Sequence, residues 1–207
     1  MADDAISTLP EDRELLDLLL AEEGVTAGPR LAPRPADAPP VLSFAQQRLW
    51  FLQQLDPASP AYNISAAVRI DGRLDGAALE AAVNDVIARH EVLRTAFPAE
   101  DGRATARVLS VATLRIAWHE STARTAEERS AAIARLQAEE AARPFDLARA
   151  PLWRLSVLRL GVAEQVVVFT MHHLVSDAWS LDVLVRELGA AYAARLTGRA
   201  PTWPPLT

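Results

Sequence analysis

Two adjacent imidazoles close an apolar run at Met171-His172-His173, and an aspartate, Asp177, stands four residues after the second. Histidine exchanges protons near neutrality because its ordinary pKa is roughly 6.5. An aspartate at that distance suits one of two tasks. It orients an imidazole as in a triad, or it anchors the loop by accepting backbone N–H groups and a guanidinium. The second task fits better, since Asp177 directly precedes a helical pattern. Successive side chains of a strand face opposite ways, so only one of His172 and His173 enters a cavity from regular β geometry while the other packs. The remaining inventory is thin. The chain has four histidines and no cysteine, which removes disulfides, thiolate zinc sites and a thiol nucleophile. No HExxH spacing occurs either. His90 reads as a capping or packing residue at a helix end, and His119 as an exposed strand-end residue.

These groups need a frame, and the patterning supplies one. Ser43 caps a helix running to about residue 55, with Leu49, Leu52 and Leu55 on one face. Residues 62–70 alternate like a strand. Asp75 caps a second helix through His90, with Leu79, Val83, Val86 and Ile87 at helical spacing. Short strands are predicted over 94–97, 106–111 and 114–118, the first two joined by a turn at Asp101-Gly102. A long helix over 125–142 leads to a strand over 152–160, a turn over 161–164, and a strand over 165–171. That last strand is apolar at nearly every position and is predicted to be central. A final helix spans 178–196. The order is mixed α/β, with hairpins beside helical crossovers.

Charge is distributed unevenly. The first 24 residues hold eight acidic side chains and one basic, whereas the remaining 183 hold 20 basic and 19 acidic. A near-neutral body with no basic stripe argues against nucleic acid as a partner. No apolar run reaches the length of a membrane span, and no basic segment followed by an apolar one opens the chain. The expected location is cytoplasmic. Four segments are predicted: an acidic amphipathic leader helix over 1–26, a proline-rich linker over 27–40, a folded lobe over 41–200, and the start of a proline-rich connection over 201–207.

Three ordered segments resemble one family. LSFAQQRLWFL at 42–52 and RHEVLRTAF at 89–97 are similar to the first two core motifs of condensation domains from nonribosomal peptide synthetases. MHHLVSDAWS at 171–180 resembles the third, the HHxxxDG active-site motif. PFDL at 144–147, ahead of Ala150-Pro151-Leu152, has the same look. The resemblance implies a chloramphenicol-acetyltransferase-like α/β sandwich lobe with a mixed sheet flanked by helices. It also implies a second lobe of similar size, absent here, and a tunnel between the two. Donor and acceptor peptidyl carrier proteins would bring thioesters on phosphopantetheine arms, and the acceptor amine would attack the donor thioester to form a peptide bond. No cofactor bound by the chain itself is implied.

By match to the motif, His173 is the catalytic histidine and His172 supports it. Asp177 would pair with an arginine of the second motif, with Arg94 the preferred partner and Arg89 the alternative. Ala178 departs from the family glycine, a change that costs little if its φ is helical. Trp179 reads as a core filler and Ser180 as a helix-surface residue. Two rival functions share the pattern: an epimerisation domain shifting an α-proton, and a non-catalytic platform that binds carrier proteins. The leader offers a docking element for an upstream synthetase protein, against the plainer reading of a solvated acidic face. With one tunnel wall in this chain, the isolated 207 residues are expected to make no peptide bond at a useful rate.

Overall fold

Capping chemistry sets where the helices start. The computed structural model describes residues 38–206 together with Leu15, Leu18, Leu19, Glu22, Arg34 and Pro35. Of the leader, only Leu15, Leu18, Leu19 and Glu22 are described, all helical and exposed; the rest of the leader and most of the linker expectation lie outside the described residues. Pro39–Leu206 forms one compact unit. Within it, α1 (Phe44–Leu55) opens with a reciprocal capping box: Ser43 Oγ accepts the Gln46 amide at 3.1 Å and Gln46 Oε1 accepts the Ser43 amide at 2.9 Å. Asp75 caps α2 (Gly76–Arg89) by accepting the Ala78 amide at 2.8 Å. Thr125 and Glu128 form a second box at the head of α3 (Ala126–Ala142).

The main sheet has four strands: β1 (Asn63–Asp71), β6 (Ala117–Glu120), β7 (Trp153–Gly161) and β8 (Glu164–His172). Their spatial order is β1-β8-β7-β6. β8 pairs antiparallel with both β1 and β7, while β6 runs parallel to β7, so the sheet is mixed. Helix α3 covers one face, where Ala132 and Leu136 meet Leu158, Leu160, Val166 and Val168. On the other face, α2 packs against α4 (Ala178–Leu196), and Leu79, Val83, Val86, Leu184 and Ala191 join Leu155, Val157, Val167 and Met171 in the main core. With helices on both sides, β8 is buried along almost its whole length, as its unbroken apolar run requires.

The short strands differ from their predicted extents. Residues 91–94 wind into a 3-10 turn, leaving only β2 (Thr95–Ala96) extended, paired with β5 (Arg107–Val108). Between them β3 (Ala99–Glu100) and β4 (Arg103–Ala104) form a hairpin. Its two central residues, Asp101 at φ 50° and Gly102 at φ 73°, are both left-handed, the geometry that matches strand twist in a two-residue turn. The strand predicted at 114–118 sits later, at 117–120, because Leu114 and Ile116 turn into the core ahead of it. Among the described residues, no helix is long and apolar enough to cross a membrane.

Candidate active site

The three motif segments meet in space through backbone carbonyls. Gln46 of α1 donates from Nε2 to the Leu174 carbonyl at 3.1 Å, and Trp50 donates from Nε1 to the Phe97 carbonyl at 2.9 Å. The Phe97 amide in turn donates to Leu147, in the PFDL segment, at 2.7 Å. A polar side chain that satisfies a buried carbonyl fixes two segments at once. The histidine loop is therefore tied to α1, and α1 to the segment after α2.

His172 ends β8 and is fully buried. Its Nδ1 accepts the Leu174 amide at 3.1 Å, so that nitrogen carries no proton and the neutral ring is protonated at Nε2. Nε2 itself is buried without a hydrogen-bond partner. The rings of Tyr62 and Phe145 approach edge-on, with centroids 6.3 Å and 6.1 Å away. Burial, and then the neighbouring His173, push the His172 pKa down to about 4. At neutral pH this imidazole is an uncharged packing residue. It is the inward member of the pair.

His173 turns the other way and is exposed. Its amide donates to the Tyr62 carbonyl at 2.8 Å. Its Nδ1 lies 2.8 Å from the Ser176 carbonyl, which can only accept. Nδ1 therefore holds the proton, and Nε2 keeps its lone pair free for an incoming N–H. A cleft of about 170 Å³ beside the loop is lined by His90, Leu93, Met171, Val175, Ser176 and Trp179, among others, but not by His173. The imidazole faces open surface.

Asp177 accepts a backbone N–H, as the sequence reading expects, but the expected guanidinium is not there. It pairs with neither Arg94 nor Arg89, nor with any other arginine among the described residues. Its Oδ1 accepts the Ser180 amide at 2.8 Å, and its own amide donates to Ser180 Oγ at 2.7 Å, making a capping box for α4. The Ser180 amide, and then its hydroxyl, hold the Asp177 carboxyl below its ordinary value. The candidate arginines are engaged elsewhere. Arg94 donates to the Leu109 carbonyl at 2.6 Å and pairs with Glu91, one turn back, at 3.6 Å. Arg89 donates to Glu187 at 3.1 Å and to the Pro204 carbonyl at 3.0 Å, and stacks over Trp203.

The flanking residues sort differently too. Trp179, read as a core filler, is 82% exposed. Helix α4 packs inward on Leu184 and Ala191, which leaves its first turn facing out. Ser180, read as a plain surface residue, is half of the capping box. Ala178 is the first helical residue and shows no positive φ, so its methyl is accommodated. Sequence reasoning missed Glu187, which accepts from Arg89 and sits 2.5 Å from His90 Nε2, joining α2 to α4. It also missed Glu140, a buried carboxylate on the α3 face, and its partly buried partner Arg154.

Comparison with known proteins agrees with this architecture. Residues 39–207 match the family model for the condensation domain. A linear gramicidin synthase of Brevibacillus parabrevis is 45% identical over 181 residues, covering 86% of this chain and 2% of that protein. A complex of the X-domain and OxyB from teicoplanin biosynthesis contains a chain with TM-score 0.72 and 39% identity, covering 85% of this chain and 36% of that one. The starter condensation domain of the rhizomide synthetase RzmA superposes with TM-score 0.71 at 28% identity, covering 81% of this chain and 40% of that one. The chain thus spans well under half of each.

Proposed function

Because this chain belongs to the condensation-domain family, we propose that it supplies one wall of a site that joins a carrier-bound donor thioester to the amine of a carrier-bound acceptor. The observation that carries the reading is the orientation of His173: Nδ1–H is committed to the Ser176 carbonyl and Nε2 is open. In the step, the acceptor nitrogen attacks the thioester carbonyl carbon. A C–N bond forms, the C–S bond breaks, and the donor carrier's thiol leaves. The nitrogen gives one proton to His173 Nε2, and the departing thiolate takes it up. A positioned base of this kind contributes on the order of 10²–10⁴ in rate.

His172 acts by holding the loop, and Asp177 by starting α4 where the loop ends. Donor and acceptor peptidyl carrier proteins deliver both substrates on phosphopantetheine arms, so the reaction asks no cofactor of this chain. A second lobe completes the tunnel. Positioning by the opposing wall is a large part of such a rate, and the 207 residues alone are inactive in this reading.

A non-catalytic platform is the second reading. It is favoured by the absence of an arginine on Asp177 among the described residues and by the likeness to an X-domain seen in complex with OxyB. One experiment separates the two: His173→Ala in the full-length synthetase, assayed with two loaded carrier proteins. Loss of condensation with carrier binding retained supports the catalytic reading, and retained condensation overturns it. Exchange of an α-proton for deuterium without elongation would instead point to epimerisation.

A further inference from the structure

The α3 face of the sheet is apolar in its first half and charged in its second. Ala132 and Leu136 pack on the strands, but the residue four positions on, Glu140, places a carboxylate only 8% exposed against the same surface. A carboxylate at that depth is tolerated only when its oxygens are taken. Here Ser156 Oγ donates to Oε1 at 2.7 Å, while Arg154 Nε and Arg143 donate to Oε2 at 3.1 Å and 3.0 Å. The remaining donors of Arg154 reach the Glu140 carbonyl, an orphan acceptor in the last turn of α3, and the carbonyls of Arg143, its C-cap, and Pro144 just beyond. Asn63 on β1 adds Nδ2 donations to Ala141 and Arg143 at 2.8 Å and 2.9 Å. Both strands that flank β8 therefore grip the last turn of α3.

That grip ends on the histidines. The guanidinium of Arg154 lies 3.7 Å from the centroid of the Phe145 ring. Phe145 stands edge-on to His172 at 85°. Asn63 is the direct cross-strand partner of His172. His172 accepts the Leu174 amide and fixes the backbone from which His173 projects. Replacing a buried ion pair by apolar side chains is often neutral for stability, so the charges here are open to a second task besides closing the end of α3.

We propose that Glu140 and Arg154 are positioning residues for the histidine loop: the carboxylate sets the guanidinium on Phe145, Phe145 sets the His172 ring, and His172 sets the Leu174 amide beside His173. The structural part stands on these contacts alone, and only its consequence for turnover rests on the function proposed above. Phe145, in the PFDL segment, thereby gains a task its sequence position did not reveal.

The test is amide exchange and ¹⁵N imidazole spectroscopy on the whole 207-residue chain, comparing wild type with Arg154→Met and Phe145→Leu. The Leu174 amide should exchange about tenfold faster or more in both variants, relative to Val157 and Val167 at the sheet centre, whose rates report global stability. The His172 nitrogens should also lose their single Nε2–H pattern. If Leu174 and the strand amides speed up by one common factor, or if the His172 pattern is unchanged, the coupling does not exist. Should Arg154→Met fail to fold, Phe145→Leu decides, because it keeps an apolar side chain and both charges. In the full-length domain the variants should lower kcat and leave KM for the acceptor within about twofold. Retained condensation in His173→Ala would sink the proposed function but leave the exchange result intact.

Discussion

His172 and His173 are neighbours in the chain yet hold opposite tautomers. The first accepts a backbone amide at Nδ1, and the second donates from Nδ1 to a backbone carbonyl. Strand geometry sends one ring inward and one outward, and each ring's local backbone partner then fixes which nitrogen is protonated. The pair is a buried packing ring beside an exposed one whose Nε2 is unengaged.

The buried ring gives stability a pH dependence. In the unfolded chain His172 takes a proton near its ordinary 6.5, whereas in the folded chain it resists until about 4. Between those values the unfolded state binds the extra proton, so stability falls as pH falls. The expected loss between pH 7 and pH 4 from this group is about 3 kcal/mol. Urea denaturation of wild type and His172→Asn checks it. Asn retains an acceptor for the Leu174 amide and does not titrate, so its pH slope over that window should be shallower by that amount.

Asp177 behaves as a helix cap. Asp177→Ala and Ser180→Ala should each cost about 1 kcal/mol, and Asp177→Asn much less, since Asn caps nearly as well. A double-mutant cycle between Asp177→Ala and Arg94→Ala should show coupling below about 0.5 kcal/mol. Larger coupling would restore the ion pair that the sequence motif implies.

Glu187 joins the second motif to α4 through Arg89 and His90. Glu187→Gln leaves a mostly buried guanidinium short of its carboxylate and should destabilise the chain by about 1–3 kcal/mol. Chemical denaturation measures this. A neutral result would mean that the Pro204 carbonyl and Trp203 ring suffice for Arg89.

Helix α1 leaves Phe44, Phe51 and Leu55 exposed, with Val41 just ahead of it. Apolar side chains gathered on one surface favour association. Sedimentation should show concentration-dependent self-association, and Phe44→Ser with Phe51→Ser should shift it to monomer without lowering the melting temperature. Unchanged association in that variant would locate the contact elsewhere.

Much of the frame is legible in the sequence because capping and periodicity are local. Ser43, Asp75 and Thr125 start helices where side-chain acceptors and apolar spacing place them, and Asp101-Gly102 turns where two left-handed residues are needed. The parallel pairing of β6 with β7 is not legible, since nothing within either strand encodes its distant neighbour. The partner of Asp177 escapes the sequence for a related reason. A motif names residue types, but Glu91, Leu109 and Glu187 compete for the same guanidinium groups and are nearer. Glu140 does leave a trace: it follows Ala132 and Leu136 at intervals of four, on the apolar face of an acid-rich helix. Neighbouring Glu139, exposed, masks it.

The role proposed for His173 depends on which of its ring nitrogens is free. Measuring the imidazole ¹⁵N shifts and one-bond N–H couplings at about pH 7.5, well above the ordinary histidine pKa, tests it directly. The expected result is protonation at Nδ1 for His173 and at Nε2 for His172, each as a single tautomer. A proton on Nε2 of His173, or the same tautomer on both rings, would contradict it.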